Sequence, residues 1–217
     1  MSLEIYWGSG SPYAWRVLLA AELKRIPYVP KLLEFSKGDL QTPEFLALNP
    51  RGKVPVIRDG DFVLGESLAI LSYLDRKHPD PPLFGRTPEE AGRIGLAIAE
   101  FESYLREPLT ILSRWVFTDR PRGPDVDEAH GKVMAELARF EQRIGGGPWL
   151  VGDAPSAADL VWFPSLRTIV RAGVRAEARA RELGLVPFAT VFPATGAWLA
   201  RIEALPGYDK TYPPHWR

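Results

Sequence analysis

The sequence predicts an α/β segment followed by an all-α segment. Three observations carry this reading. Residues 1–78 alternate short apolar runs, bounded by turn residues, with stretches of helical periodicity, as an α/β domain does. Residues 79–87 hold Pro79, Pro81 and Pro82 and no periodicity, which reads as a linker. Residues 88–217 carry apolar side chains at helical spacing, which reads as an all-helical domain.

The elements follow in order. Leu3 to Trp7 is a short apolar run with aromatics, a strand, and Gly8-Ser9-Gly10 is the loop that ends it. Ser11-Pro12 then starts a helix from Tyr13 to Lys24, because serine caps free amides and proline suits the first turn. Val29 to Phe35 reads as a second strand. Thr42-Pro43-Glu44 opens a short helix through Leu48, which Asn49-Pro50 stops. Val54 to Arg58 and Phe62 to Leu64 flank Asp59-Gly60-Asp61, a hairpin signal. A helix then runs from Glu66 to Lys77 with Leu68, Leu71 and Leu74 on one face. Past the linker, Pro88 starts one long helix to Phe117. A second runs from Val126 to Ile144, with Val133, Leu137 and Phe140 at helical spacing, and Gly145-Gly146-Gly147-Pro148 ends it. Ser156 to Ala172 is apolar on most sides and reads as a central buried helix. Ala176 to Leu183 and Thr190 to Ala204 are further helices, and the aromatic, proline-rich last residues read as a packed tail.

The composition excludes several function classes. Among 217 residues, 46% are apolar and 25% charged, which is ordinary for a globular protein. The 27 basic and 27 acidic side chains cancel, whereas a general nucleic-acid binder carries a basic excess. Cysteine is absent, which removes disulfides, thiolate metal sites and cysteine nucleophiles together. Three histidines (His78, His130, His215) are too few for a histidine-rich metal site, so no metal is expected. The N-terminus lacks the basic and apolar regions of a signal peptide, and no window is apolar enough for a membrane helix. A cytoplasmic protein with no nucleic-acid or membrane partner is the expectation. No Gly-x-Ser-x-Gly elbow supports a Ser-His-Asp triad, and neither Gly145-Gly146-Gly147 nor Gly52-Lys53 completes a phosphate loop.

Three short stretches carry chemistry. Ser11 stands at a helix N-terminus, where free amides and the macrodipole favour an anion and a hydroxyl can donate to a thiolate or oxyanion. A plain helix cap accounts for it equally. Pro55 at a strand start suits its missing donor, and if the Val54-Pro55 bond is cis, the Val54 main chain can pair with a peptide-like ligand. Gly65-Glu66-Ser67 opens a helix: Ser67 and its amides suit a carboxylate, and Glu66 suits an ammonium group, although a cap with an acidic first turn explains both. Ser156-Ala157-Ala158-Asp159 reads as a structural capping box at the head of the buried helix.

Together these residues resemble the cytosolic glutathione transferase family, with the serine-type, bacterial members most similar. The matching stretches are SGSPYAWRVLLAAELKRIPY, LNPRGKVPVI, GESLAILSYLD, LVGDAPSAADLVWFP and WLARIEALPGYDKTYPPHW, in the right order over nearly the whole chain. The resemblance implies a thioredoxin-like N-terminal domain, an all-helical C-terminal domain and a homodimer. It implies that glutathione is the co-substrate and that its thiolate is conjugated to a small hydrophobic electrophile. A glutathione-dependent isomerase and a catalytically weak binding protein are the alternatives. The family's active hydroxyl carries over to Ser11, with Ser9, Tyr6 and Tyr13 as neighbouring hydroxyls that compete for the role. Pro55 matches the family's cis-proline and Val54 the residue whose main chain pairs with the cysteinyl part. Glu66 and Ser67 match the pair that holds the γ-glutamyl end, and Lys53 and Lys37 match basic positions near the glycine carboxylate. Tyr104 and Trp115, with Leu105, Leu112 and Phe117, are the candidates for the apolar co-substrate pocket.

Overall fold

A computed structural model describes residues 2–118 and 120–217. Two compact units emerge: one runs to Leu83 and includes Ala204–Arg217, and the other is Phe84–Glu203. The closing tail, counted above with the helical region, thus clusters with the first unit.

In the first unit, β1 (Leu3–Gly8) leads through α1 (Pro12–Leu23) to β2 (Tyr28–Leu33). A short α2 (Pro43–Leu48) precedes the hairpin of β3 (Val56–Asp59) and β4 (Phe62–Gly65), and α3 (Ser67–Lys77) closes the layer. The sheet order is β2-β1-β3-β4. Strands β1 and β2 are parallel, whereas β1–β3 and β3–β4 are antiparallel. This is the thioredoxin-like layer. Its core forms because period-two side chains of β1 (Leu3, Ile5, Trp7) meet the apolar stripes of α1 (Val17, Leu18, Ala21) and α3 (Ile70, Leu74). The tail, with α11 at Tyr208–Thr211, packs on α1. Trp15 Nε1 donates to Thr211 Oγ1 at 2.9 Å, and the Trp15 ring meets those of Tyr208, Tyr212 and Trp216.

The second unit is helical: α4 (Pro88–Glu100), α5 (Arg106–Val116), α6 (Pro124–Ile144), α7 (Ala157–Arg175), α8 (Glu177–Glu182), α9 (Phe188–Val191) and α10 (Pro193–Glu203). Its core centres on Trp162 and Trp198 around Phe140, with ring centroids 4.7 Å and 5.0 Å away. The single helix expected from Pro88 to Phe117 is interrupted by a π-helical turn at Phe101–Leu105, where the Arg106 amide donates to the Phe101 carbonyl. The cause is Pro108: with no N–H, it cannot serve the Tyr104 carbonyl as a continuous α-helix requires. The helix expected over Thr190 to Ala204 is likewise divided, since Pro193 starts α10 afresh. Among the described residues, no helix is long and apolar enough to cross a membrane.

Candidate functional site

Strand directions assemble the site. Gly8 of β1 is level with Leu33 of β2, Tyr6 with Val56 of β3, and Val56 with Gly65 of β4. The carboxyl ends of β1, β2 and β4 and the amino end of β3 therefore lie along one end of the sheet. The Gly8–Ser11 loop, Val54-Pro55 and Glu66-Ser67 leave the sheet there. Lys37 follows β2 at the same end. Three segments far apart in sequence are brought together by topology alone.

Ser11 is the N-cap of α1, and its Oγ accepts from the Ala14 amide at 3.3 Å. Accepting leaves the hydroxyl proton available to an anion ahead of the helix. The competing hydroxyls are differently placed. Tyr6 donates to Glu4 at 3.0 Å, and burial, aided by that carboxylate, raises its pKa. Tyr13 lies under the Arg16 guanidinium, 4.8 Å from ring centroid to Cζ. Ser9 Oγ meets His215 Nδ1 at 2.5 Å.

The Val54-Pro55 peptide is cis. Before it, Asn49 organises the turn: its Nδ2 donates to the Lys53 carbonyl at 2.6 Å, and its Oδ1 accepts from the Arg51 amide at 3.1 Å. Lys53 is exposed. Lys37 is also exposed and donates to Glu34 at 2.7 Å, which raises its pKa. Its charge is thus shared with a carboxylate three residues back.

Glu66 has φ 65°, in the left-handed region that non-glycine residues rarely occupy. It sits directly before α3 and its side chain makes no cap. Such outliers persist where the surrounding structure holds them, and they gather at ligand sites. Ser67 is buried, and Arg16 Nη1 reaches its Oγ at 3.4 Å. Sequence reading did not single out Arg16. It is the one cation inside the apolar run of α1, it is only 1% exposed, and it joins the Ser11 helix to the head of α3. A charged residue interrupting an otherwise buried helix was the available signal.

In the helical unit the expected apolar candidates separate. Trp115 is 2% exposed and lies beneath the Arg179 guanidinium at 4.9 Å, while Leu105 and Leu112 are fully buried. Tyr104 is 59% exposed and lines a cavity of about 360 Å³ with Glu107, Lys132 and Arg139, a polar surround. Trp115 serves the unit's core, and this unit by itself does not bring it to one surface with Tyr104. Helical periodicity marks both alike, so sequence could not divide them. No group of three or more His, Cys, Asp or Glu side chains among the described residues is arranged to hold a metal.

Comparison with known proteins places this architecture. The family model for the glutathione S-transferase N-terminal domain matches residues 10–77, and that for the C-terminal domain matches residues 107–206. Glutathione S-transferase 4 of Zea mays is 32% identical over 215 residues, covering 96% of this chain and 91% of that protein. Maleylacetoacetate isomerase of Pseudomonas aeruginosa is 32% identical over 206 residues, covering 89% of this chain and 93% of that protein. A solved glutathione S-transferase from the Antarctic clam Laternula elliptica has a TM-score of 0.86 at 30% identity, covering 100% of this chain and 94% of that one. The chain belongs to the glutathione S-transferase family, and it is a glutathione transferase.

Proposed function

We propose that glutathione lies across the end of the sheet, with its sulfur at the Ser11 hydroxyl, and that the enzyme is of the serine type found in bacteria. The observation that supports this most is the convergence of Ser11, Val54-Pro55 and Glu66-Ser67 at one sheet end. Glu66 holds the ammonium of the γ-glutamyl group. Ser67, the amides at the head of α3 and the nearby Arg16 hold its carboxylate. The Val54 main chain pairs with the cysteinyl part, and Lys53 and Lys37 draw the glycine carboxylate. A free thiol has a pKa of ~8.5, so little of it is thiolate at neutral pH. Lowering that by ~2 units needs about 2.7 kcal/mol, within reach of one charge-assisted hydrogen bond plus a helix N-terminus. The sulfur then attacks the electrophilic carbon of a small hydrophobic co-substrate. The enzyme works in the cytoplasm as a homodimer.

A second reading, a glutathione-dependent isomerase, draws on the likeness to the Pseudomonas aeruginosa isomerase. It uses the same thiolate, so the test of Ser11 serves both. Ser11→Ala is expected to lower kcat/KM about ten- to a hundred-fold near neutral pH, with much of the rate returning at high pH. An unshifted pH profile removes Ser11 from the role. Paired assays with a chromogenic aryl halide and a cis-configured unsaturated diacid separate the two activities.

A further inference from the structure

We propose that His215 of the tail positions the Ser9 hydroxyl as a second hydrogen-bond donor to the glutathione sulfur; this rests on the reading of the Gly8–Ser11 loop as the sulfur site. The argument starts at Trp216. Its indole Nε1 donates to His215 Nε2 at 2.9 Å. An indole nitrogen only donates, so Nε2 is the accepting nitrogen and the proton of the neutral imidazole sits on Nδ1. That Nδ1–H donates to Ser9 Oγ at 2.5 Å. With an oxygen lone pair so engaged, the Ser9 proton points away from the imidazole. A hydroxyl that accepts one hydrogen bond is also polarised into a stronger donor of its own.

The loop is built to admit the imidazole. Gly10 has φ 81°, and a Cβ there would stand 2.8 Å from His215 Cε1 and 3.2 Å from Nε2. Any other residue at position 10 pushes the ring off the loop. The tail is fixed to the helix that carries Ser11, since Trp216 meets the Trp15 ring edge-on at 5.4 Å and Tyr212 at 6.1 Å. The chain of donors therefore runs from Trp216 through His215 to Ser9, two residues before the N-cap serine. His215 is a positioning residue here, and no proton is transferred through it. The thiol proton leaves to solvent, and Ser9 keeps its own.

The test is the pH dependence of kcat/KM for wild type, Ser9→Ala, His215→Ala, His215→Asn and the Ser9→Ala/His215→Ala pair, with Ser11→Ala alongside. Circular dichroism checks that each variant is folded. Ser9→Ala and His215→Ala should each raise the apparent thiol pKa of bound glutathione by about 0.5–1 unit, with glutathione KM little changed. The double variant should be no worse than either single one, because the two act as one unit. His215→Asn should restore most of the profile, since its amide nitrogen takes the place of Nδ1. If Ser11→Ala shifts the profile while Ser9→Ala and His215→Ala do not, this proposal falls and the Ser11 assignment stands. If only the Ser9 and His215 variants shift it, this proposal stands and the Ser11 assignment falls. No shift in any variant overturns both. An additive double variant, or His215→Asn behaving as His215→Ala, overturns the positioning role.

Discussion

At Glu66 a single backbone angle links strain to binding. Its φ of 65° costs about 1 kcal/mol or more in a residue with a Cβ, and glycine relieves that cost. Glu66→Gly should therefore be at least as stable as wild type in urea denaturation, yet show a raised KM for glutathione with kcat retained. Glu66→Gln and Ser67→Ala should raise KM in the same way, because these groups hold the γ-glutamyl end equally in ground and transition states. A large fall in kcat at unaltered KM, in any of the three, contradicts that role. Sequence showed Ser11, Pro55, Glu66 and Ser67 as residue types at helix and strand starts. It did not show the φ of Glu66, nor that Arg16 lies buried against Ser67, because both depend on how β4 and α1 meet α3.

Two elements carry charge in places that respond to mutation differently. On the sheet, Glu4 of β1 accepts from Arg58 of β3 at 2.6 Å and from Tyr6 at 3.0 Å, and pairs with Lys31 of β2 at 3.4 Å. The Arg58 hydrogen bond, more than any other contact, holds the Glu4 carboxyl at about 2 against an ordinary 4.5. A lowered pKa means the unfolded chain binds the proton more readily, so the stabilisation is present above pH 4.5 and is lost as pH falls through about 2. Arg58→Met should thus be less stable than wild type at pH 7, and the gap should close on acidification; a gap independent of pH contradicts the link. In the helical unit, Asp159 accepts four hydrogen bonds: from the Leu150 and Ser156 amides, the Ser156 hydroxyl and Trp198 Nε1, all at 2.9–3.0 Å. Burial pushes its carboxyl above the usual carboxylate range, and the four donors offset only part of that rise. Asp159→Ala strands those donors in the core, so it should cost about 3 kcal/mol or more, above the ~1 of an ordinary cap. Denaturation and glutathione titration together check this; lost affinity at unchanged stability would make Asp159 a ligand residue. The Asp-at-third-position box was legible in sequence, but Leu150 and Trp198 were not, because they arrive from other parts of the chain. The break at Phe101–Leu105 was legible too, through Pro108, yet apolar spacing on both sides of it imitates one continuous helix.

For the whole molecule, local patterns gave the order of elements, while the pairing of strands and the docking of the tail onto α1 came from contacts between distant segments. The remaining question is what covers the apolar surface that each unit leaves open. In the first unit, Phe62 on the edge strand β4 is 46% exposed and stacks at 4.9 Å on Tyr73 of α3. In the second, Leu96 of α4 is 56% exposed. Large apolar side chains on an edge strand and on a helix face favour association over hydration, and in an isologous pair each copy presents the same patch to the other. A stable pair needs more than about 1,000 Å² of buried surface. We therefore expect a two-fold dimer at micromolar concentration, formed through the third and fourth helices. Sedimentation velocity should show a species of twice the chain mass of 24.2 kDa. Leu96→Glu and Phe62→Glu should each shift it towards monomer, since a carboxylate desolvated at an apolar interface costs several kcal/mol. A wild-type protein that sediments only as monomer ends this expectation, and a dimer untouched by both substitutions moves the interface elsewhere.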